Sequence, residues 1–379
     1  MCSVRRATNK LSRPRGEVEV MHIGLVIGGN QIGGMERQAF LLACGLHDRG
    51  IRVSVFFSGR PCLGLNRRDH TISFSPLPTY WLWGSRYTNS PSAYYLAWLL
   101  RRLGVSVVQA YQLSAIEKAK RAIQVAGGLP YIACVRGTRF AFDASLADKY
   151  KNACANAVRV LCNCTTVREL LLENQVCSRD RLLVFPNGIA IRRVCSPGKS
   201  DRGFNILFAA TLKAVKDPVS FAKAVALVMR QKTEVTVTIA GEGSLRTKMR
   251  RVFEDQNVQE RVSFLGQVPM DSVPYAQADL VVSSSIREAS SNTILEAFAS
   301  GVPVVATSVG GSVELRGMDF VRLVPPRDEL LLAKAIMDFA RLSQERRLEL
   351  GLGASDYVRK NYSIDSMVDN HIALYKAVS

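Results

Sequence analysis

The chain is 379 residues long and 47% hydrophobic, too long for one average domain and apolar enough for two packed cores. Its formal net charge of +18 is unevenly placed: residues 1–200 hold 28 Lys and Arg against 11 Asp and Glu, and residues 201–379 hold 22 against 21. This composition excludes a disordered chain beyond its start, and the longest apolar stretch, Ala93 to Leu100, falls far short of the ~20 residues that span a bilayer.

Residues 1–20 read as a basic tail. Met1 to Gly16 carries five basic residues and no acid, without the apolar segment of a secretory signal. His22 to Ile27 then reads as a strand, and Met35 to Arg49 as a helix with Ala39, Leu42 and Leu46 on one face. Between them runs Gly28-Gly29-Asn30-Gln31-Ile32-Gly33-Gly34-Met35-Glu36-Arg37. Such a turn can present backbone N–H groups to a phosphate without side-chain obstruction, although glycine-rich turns are often purely structural. It is not G-x-G-x-x-G and no Gly-Lys-Ser/Thr follows, which argues against a dehydrogenase or an NTPase.

Ile51 to Phe57, Val105 to Ala110, Tyr131 to Val135 and Val158 to Cys162 continue as strands with helical segments between them. Alternation of this kind predicts a parallel sheet covered by helices on both faces. All three tryptophans lie in two segments, Pro78 to Trp83 and Tyr94 to Arg102, beside basic residues. They read equally as an anchor against anionic lipid or as ordinary core. All nine cysteines fall within the first 195 residues, odd in number and with no C-x-x-C. We read them as free thiols rather than as a Cys162/Cys164 metal site, because zinc needs four convergent ligands and no nearby His completes a set.

After Pro186-Asn187-Gly188 and the polar stretch Ser196 to Gly203 the alternation restarts, which places a linker near Arg193 to Arg202. Strands are expected at Asn205 to Ala210, Val235 to Ala240, Val262 to Leu265, Leu280 to Ser283, Val304 to Thr307 and Phe320 to Val324. Asp217-Pro218 is a helix start, with Asp as the cap and Pro at the first helical position. Ile364 to Val378 reads as an amphipathic helix. The expected units are therefore residues 21–195, residues 203–362, and a C-terminal helix, 363–379, able to return to the first unit.

The sharpest chemical signal follows the strand Leu280 to Ser283. Ser284 to Ala297 places Glu288 in a loop and Glu296 about one turn into a helix that Ser291 or Asn292 would cap. A carboxylate cannot favourably face a pyrophosphate, but it can accept hydrogen bonds from vicinal sugar hydroxyls while the helix start beside it holds the phosphates. One loop-helix unit thus offers a ribose site, a phosphate site and a sugar contact. Two solvated carboxylates on an ordinary helix start would give the same spacing.

Taken together, the segments resemble glycosyltransferase family 4, retaining enzymes of the GT-B fold. The resemblance rests on Gly33-Gly34-Met35-Glu36-Arg37, Phe185-Pro186-Asn187-Gly188-Ile189, Ala240-Gly241-Glu242-Gly243, Phe264-Leu265-Gly266, the pair Glu288 and Glu296, and Gly301 to Thr307 through Gly310-Gly311. It runs from about His22 to Tyr375 and implies an α/β chain of two Rossmann-like domains facing a central cleft. It implies that Glu296 binds the nucleotide ribose, that Glu288 contacts the transferred sugar, and that Lys216 neutralises the donor diphosphate. Gly33, Gly34, Thr211, Ser290, Asn292 and Thr293 complete the expected donor site.

Three positions depart from the family pattern. Thr211 stands where the family usually has an Arg on the diphosphate, so Lys213 or another base would have to compensate. Arg136 stands near the place of the family's His beside the reacting sugar, and is the acceptor-side candidate. Ala190 replaces the Asp that follows Pro-Asn-Gly-Ile. No Asp-x-Asp pair occurs in the sequence, so a metal-free basic clamp and no cofactor are expected. The basic first half calls for an anionic partner, an acidic lipid surface or an anionic glycan acceptor, and the absence of zinc-finger or RNP patterns makes nucleic acid the weaker choice.

The expected reaction is transfer of a hexosyl unit from a UDP- or GDP-sugar to a hydroxyl of a glycan or lipid-linked glycan. The setting would be bacterial surface polysaccharide or glycolipid assembly, in the cytoplasm or peripherally on the inner face of the plasma membrane. A sugar-nucleotide epimerase of the same fold and a non-catalytic nucleotide-sugar-binding subunit are the alternatives.

Overall fold

The computed structural model describes residues 21–28, 33–58, 77–82, 91–191, 203–269 and 272–379. The basic tail, Gly29 to Ile32 of the glycine-rich turn, Trp83, Cys2, Cys62, Cys195 and the Arg193–Arg202 linker lie outside the described residues.

Two parallel sheets form the frame. The first holds β1 (His22–Ile27), β2 (Arg52–Phe57), β3 (Thr79–Trp81), β4 (Val107–Tyr111), β5 (Tyr131–Cys134), β6 (Arg159–Cys162) and β7 (Leu182–Val184), in the order β3-β2-β1-β4-β5-β6-β7. The second holds β8 (Phe204–Ala209), β9 (Val235–Ala240), β10 (Val262–Gly266), β11 (Leu280–Ser283), β12 (Val304–Thr307) and β13 (Val321–Val324), in the order β10-β9-β8-β11-β12-β13. Their central strands are continuous buried runs, β1 and β4 being buried at every residue, as a sheet covered on both faces requires.

In each sheet the strand order reverses beside the first strand, between β1 and β4 and between β8 and β11. In such sheets ligands bind outside the carboxyl ends of the strands at this reversal. The segments that leave β5, β8, β9 and β11 all end in one cleft between the sheets.

Residues at the end of the chain pack against the first sheet. Helix α1 (Gly34–Asp48) contacts the last helix, α11 (Ile364–Val378). Met367, Val368, Leu374 and Tyr375 share a core with Ile23 and Leu25 of β1. The buried Tyr375 hydroxyl donates to Gln109 Oε1 at 2.7 Å, and Arg49 pairs with Asp365 and Asp369. The crossing is tight at Gly188, where an added Cβ would lie 2.9 Å from the Met367 side chain and 3.2 Å from Ile364 Cα.

Two strands escaped the sequence reading. β3 and β7 are three residues each, too short for a period to show, and both sit at sheet edges. β3 divides the tryptophan segments by role. Tyr80 stacks on Phe56 at 5.3 Å and Trp81 on Phe57 at 4.6 Å, so this segment packs onto the sheet. Helix α2 (Pro91–Leu103) buries Ala93, Leu96, Ala97, Leu99 and Leu100, yet leaves Tyr94, Tyr95 and Trp98 exposed at 51%, 43% and 49%.

Candidate active site

The cleft has a volume of about 1080 Å³. Its lining includes Gly33, Gly34, Arg136, Thr211, Lys216, Glu288, Ser290, Asn292, Thr293 and Glu296, so the expected donor-site residues and the acceptor-side candidate reach the same cavity. A smaller depression of about 600 Å³ runs along β13 and holds none of them.

On the second sheet's side, β8 ends at Ala209 and the chain passes through Thr211 into a short helical turn, Ala214–Lys216. Asp217 takes the left-handed conformation at φ 46° and accepts from Ser220 N at 3.3 Å, capping helix α6 (Pro218–Gln231) with proline at its start. The loop after β11 stitches this turn in place. The Ser284 hydroxyl donates to the carbonyls of Lys216 and Asp217, both at 2.9 Å, and Ile286 N donates to Val215 O at 2.9 Å. The backbone bearing Lys216 is therefore fixed before any ligand arrives.

Lys216 Nζ forms an ion pair with Glu288 Oε2, and the Ser285 hydroxyl donates to the same oxygen at 3.3 Å. The Glu288 loop is itself held by Gly310 and Gly311. Gly310 adopts φ +55°, and an added Cβ would lie 1.9 Å from Glu288 O, so only glycine lets the backbones approach. Helix α8 (Asn292–Ala299) then opens toward the cleft, and its Ser291 cap makes no side-chain hydrogen bond to the first turn. Its amide groups are thus available for an anion. The Thr293 hydroxyl points elsewhere and donates to Ala209 O at 3.0 Å.

Glu296 is buried, and both its oxygens have partners. Tyr275 donates its hydroxyl to Oε2 at 2.9 Å, and Arg37 of α1 forms an ion pair with Oε1. The latter pair joins the two sheets' halves across the cleft. A second link runs beside it. Arg136 Nη1 donates to Asn187 Oδ1 at 3.0 Å, Asn187 Nδ2 to Asn292 Oδ1 at 2.7 Å, and Asn292 Nδ2 to Gly34 O at 3.4 Å. Glu36 holds Gly33, at the start of α1, by accepting from Gly33 N at 2.9 Å, and also accepts from Gln112 at 2.6 Å.

Arg37, Tyr275 and Asn187 were not assigned roles from the sequence. Asn187 and Arg37 lie within motifs that the sequence displays, and only their side-chain targets were invisible. Tyr275 has no local signal, because it reaches Glu296 from a short helical turn, Tyr275–Gln277.

Of the described cysteines, all but the half-buried Cys44 are buried. Burial pushes the thiols of Cys134, Cys154 and Cys162 up to about 12 and those of Cys164 and Cys177 up to about 11, so they stay protonated and unreactive near neutrality. Among the described residues, no three His, Cys, Asp or Glu side chains converge as a metal site would require. No helix among them is long and apolar enough to cross a membrane.

Two parallel sheets that face a cleft, with an open helix start and paired carboxylates in its wall, define a GT-B fold. The Anabaena protein HepE, solved with UDP, shares that architecture with a TM-score of 0.80 and 18% identity over 94% of this chain and 100% of that one. A model described as Glycosyltransferase Family 4 matches residues 32–193, and one described as Glycosyl transferases group 1 matches residues 203–341. Between them the two models cover most of the chain, which is a family-4-like glycosyltransferase of the GT-B fold. A D-inositol 3-phosphate glycosyltransferase of Pseudarthrobacter chlorophenolicus is 29% identical over 41% of this chain and 40% of its own length. An uncharacterized glycosyltransferase of Methanocaldococcus jannaschii is 32% identical over 41% of this chain and 44% of its own. These matches span about two-fifths of the curated relatives' length.

Proposed function

We propose that the protein transfers a hexosyl unit from a UDP- or GDP-sugar to a hydroxyl acceptor with retention at the anomeric carbon. The observation that carries this reading is the convergence of Lys216, Glu288, Glu296 and the open start of α8 in one cleft. The UDP bound in the Anabaena structure favours a uridine donor.

In this reading Glu296 accepts from the ribose hydroxyls, and the amides at the start of α8 receive the diphosphate. Lys216 leaves Glu288 for the diphosphate as charge grows on the departing oxygen, which places its stabilisation in the transition state rather than in the bound substrate. Glu288, so released, accepts from hydroxyls of the sugar. The departing phosphate oxygen takes the proton of the acceptor hydroxyl on the same face, so the bond to the phosphate breaks as the new glycosidic bond forms. Arg136, permanently charged, cannot shuttle that proton. Lys213 and Lys216 supply the positive charge that the missing Arg at Thr211 would have given, so the donor clamp works without a metal.

Titration calorimetry with UDP-, GDP- and ADP-sugars tests the donor assignment, followed by NMR of the product's anomeric proton. Saturable binding of a UDP- or GDP-sugar and an anomer matching the donor are expected. An inverted product would remove the same-face mechanism, and failure of all three donors to bind would remove the assignment.

We place the protein in the cytoplasm, working on a surface polysaccharide or glycolipid and resting peripherally on an anionic membrane. Support comes from α2, where Arg102 lies over exposed Trp98 at 4.9 Å beside Tyr94 and Tyr95. Arg101 is engaged differently, donating to the Val125 and Ala126 carbonyls that end helix α3 (Leu113–Ala126). Arg67 and Arg68, also candidates for such a surface, lie outside the described residues. Trp98→Ser with Arg102→Glu should lower partitioning onto phosphatidylglycerol vesicles at least fivefold, since one basic residue near such a surface contributes about 1 kcal/mol. Unchanged partitioning in a vesicle sedimentation assay would leave α2 without this role.

A further inference from the structure

The acids and bases of the cleft do not balance. Three carboxylates line it, and each has its own cation: Glu242 with Arg246, Glu288 with Lys216, Glu296 with Arg37. Arg136, Arg139, Lys213 and Arg287 also line it, and among the described residues none of these four forms an ion pair with a carboxylate.

A donor diphosphate accounts for the second sheet's wall, where Lys213 and Lys216 flank the turn after β8. It does not account for the opposite wall. Arg136 and Arg139 follow β5, and Arg287 reaches over from the loop after β11 to lie 5.3 Å above the Phe142 ring, next to the Arg139 segment.

Arg136 is the most telling of the three. Its guanidinium lies 5.4 Å above the Tyr111 ring, donates to the neutral Asn187 and sits beside the neutral Cys134 thiol, while its Nε is buried with no partner. Holding a partly buried guanidinium without a counter-charge costs stability, because it loses water and gains no ion pair. Its field also falls on His371, which burial first, and Arg136 after it, push down to about 3. An arginine cannot trade protons at this place, but its planar fork matches a phosphate in two hydrogen bonds.

We propose that Arg136 and Arg139, with Arg287 opposite, form a second anion-binding subsite, and that the acceptor carries a phosphate group close to the hydroxyl that is glycosylated. This rests on the transferase reading for the word acceptor, but the subsite itself does not need it. The phosphate could belong to a soluble sugar phosphate or to a lipid headgroup, and the chemistry recognised is the same.

The test uses the full chain saturated with UDP, so that the nucleotide site is filled. Glucose 6-phosphate is titrated against glucose, and dihexanoyl phosphatidic acid against dihexanoyl glycerol, by calorimetry. At least one phosphorylated probe is expected to bind tenfold or more tightly than its neutral counterpart, and which one does so identifies the source. Arg136→Gln with Arg139→Gln should abolish that preference while UDP affinity stays within twofold, which also reports that the variant is folded. If the double variant loses UDP as well, Arg139→Gln alone, at an exposed position, should still reduce the preference about threefold. Phosphorylated probes that bind no better than neutral ones, or a preference that survives in these variants, would overturn the subsite. Absence of UDP binding to the unaltered protein would instead count against the donor reading, and the same probe pairs without nucleotide, compared between the unaltered protein and the double variant, would then read the subsite.

Discussion

Lys216→Ala is expected to lower turnover at saturating donor by about 100- to 1,000-fold, the range for removing one preorganised donor to a developing oxyanion. Nucleotide affinity should fall far less, by under about tenfold, because ground-state binding is shared with the amides of α8. The asymmetry follows from the unliganded geometry. Lys216 is already satisfied by Glu288, so binding the donor exchanges one partner for another with little net gain. Only as the leaving oxygen gains charge does the new partner become better than the old. Its backbone is held by Ser284 and by the Val215–Ile286 bond, so the substitution removes the amine without moving the turn. Steady-state kinetics with a saturating sugar nucleotide would show the split. Turnover kept within a few fold of the unaltered protein would remove Lys216 from the leaving group.

Much of this frame was legible in the residues. Apolar runs and β-branched residues mark these strands: Leu280–Ser283 and Val304–Thr307 are nearly continuous buried runs, Val235–Ala240 alternates Val and Thr before Ile239, and all three came out with the bounds seen in the structure. Asp217-Pro218 also declared its helix start, because the cap is a local chemical device. β3 and β7 were not readable, since three residues give no period and their place depends on the neighbouring strand.

Site residues divide in the same way. Lys216, Glu288 and Glu296 stand in motifs, so their convergence could be expected. Their partners could not, because charge pairing across the cleft depends on which wall faces which. Arg37 is separated from Glu296 by 259 positions, and nothing local to either marks the contact. The same limit held for α2, whose buried and exposed aromatic faces carry similar residues and part company only when the helix meets the sheet.

Glu296→Ala should weaken nucleotide binding by about 1.5–3 kcal/mol, the scale for hydrogen bonds to a charged group, or roughly ten- to a hundred-fold. The unliganded site complicates the cause of that loss. Both Glu296 oxygens are already engaged, Oε2 by the Tyr275 hydroxyl and Oε1 by Arg37, so the alanine variant also takes a carboxylate partner from a guanidinium and a phenol. A weaker nucleotide could then reflect a rearranged cleft wall rather than lost ribose contacts. The two causes separate when the sugar hydroxyls are removed from the ligand instead of the carboxylate from the protein. If Glu296 binds the ribose, UDP and its 2′,3′-dideoxy counterpart should differ strongly in the unaltered protein and hardly at all in Glu296→Ala, a coupling that a double cycle isolates. Arg37→Ala adds the complementary reading: ribose no longer competes with the guanidinium for Oε1, so discrimination between the two nucleotides should persist or widen. Equal losses for both nucleotides in Glu296→Ala would assign the carboxylate to holding Arg37 and Tyr275 across the cleft, and the ribose contact would have to be sought on other residues.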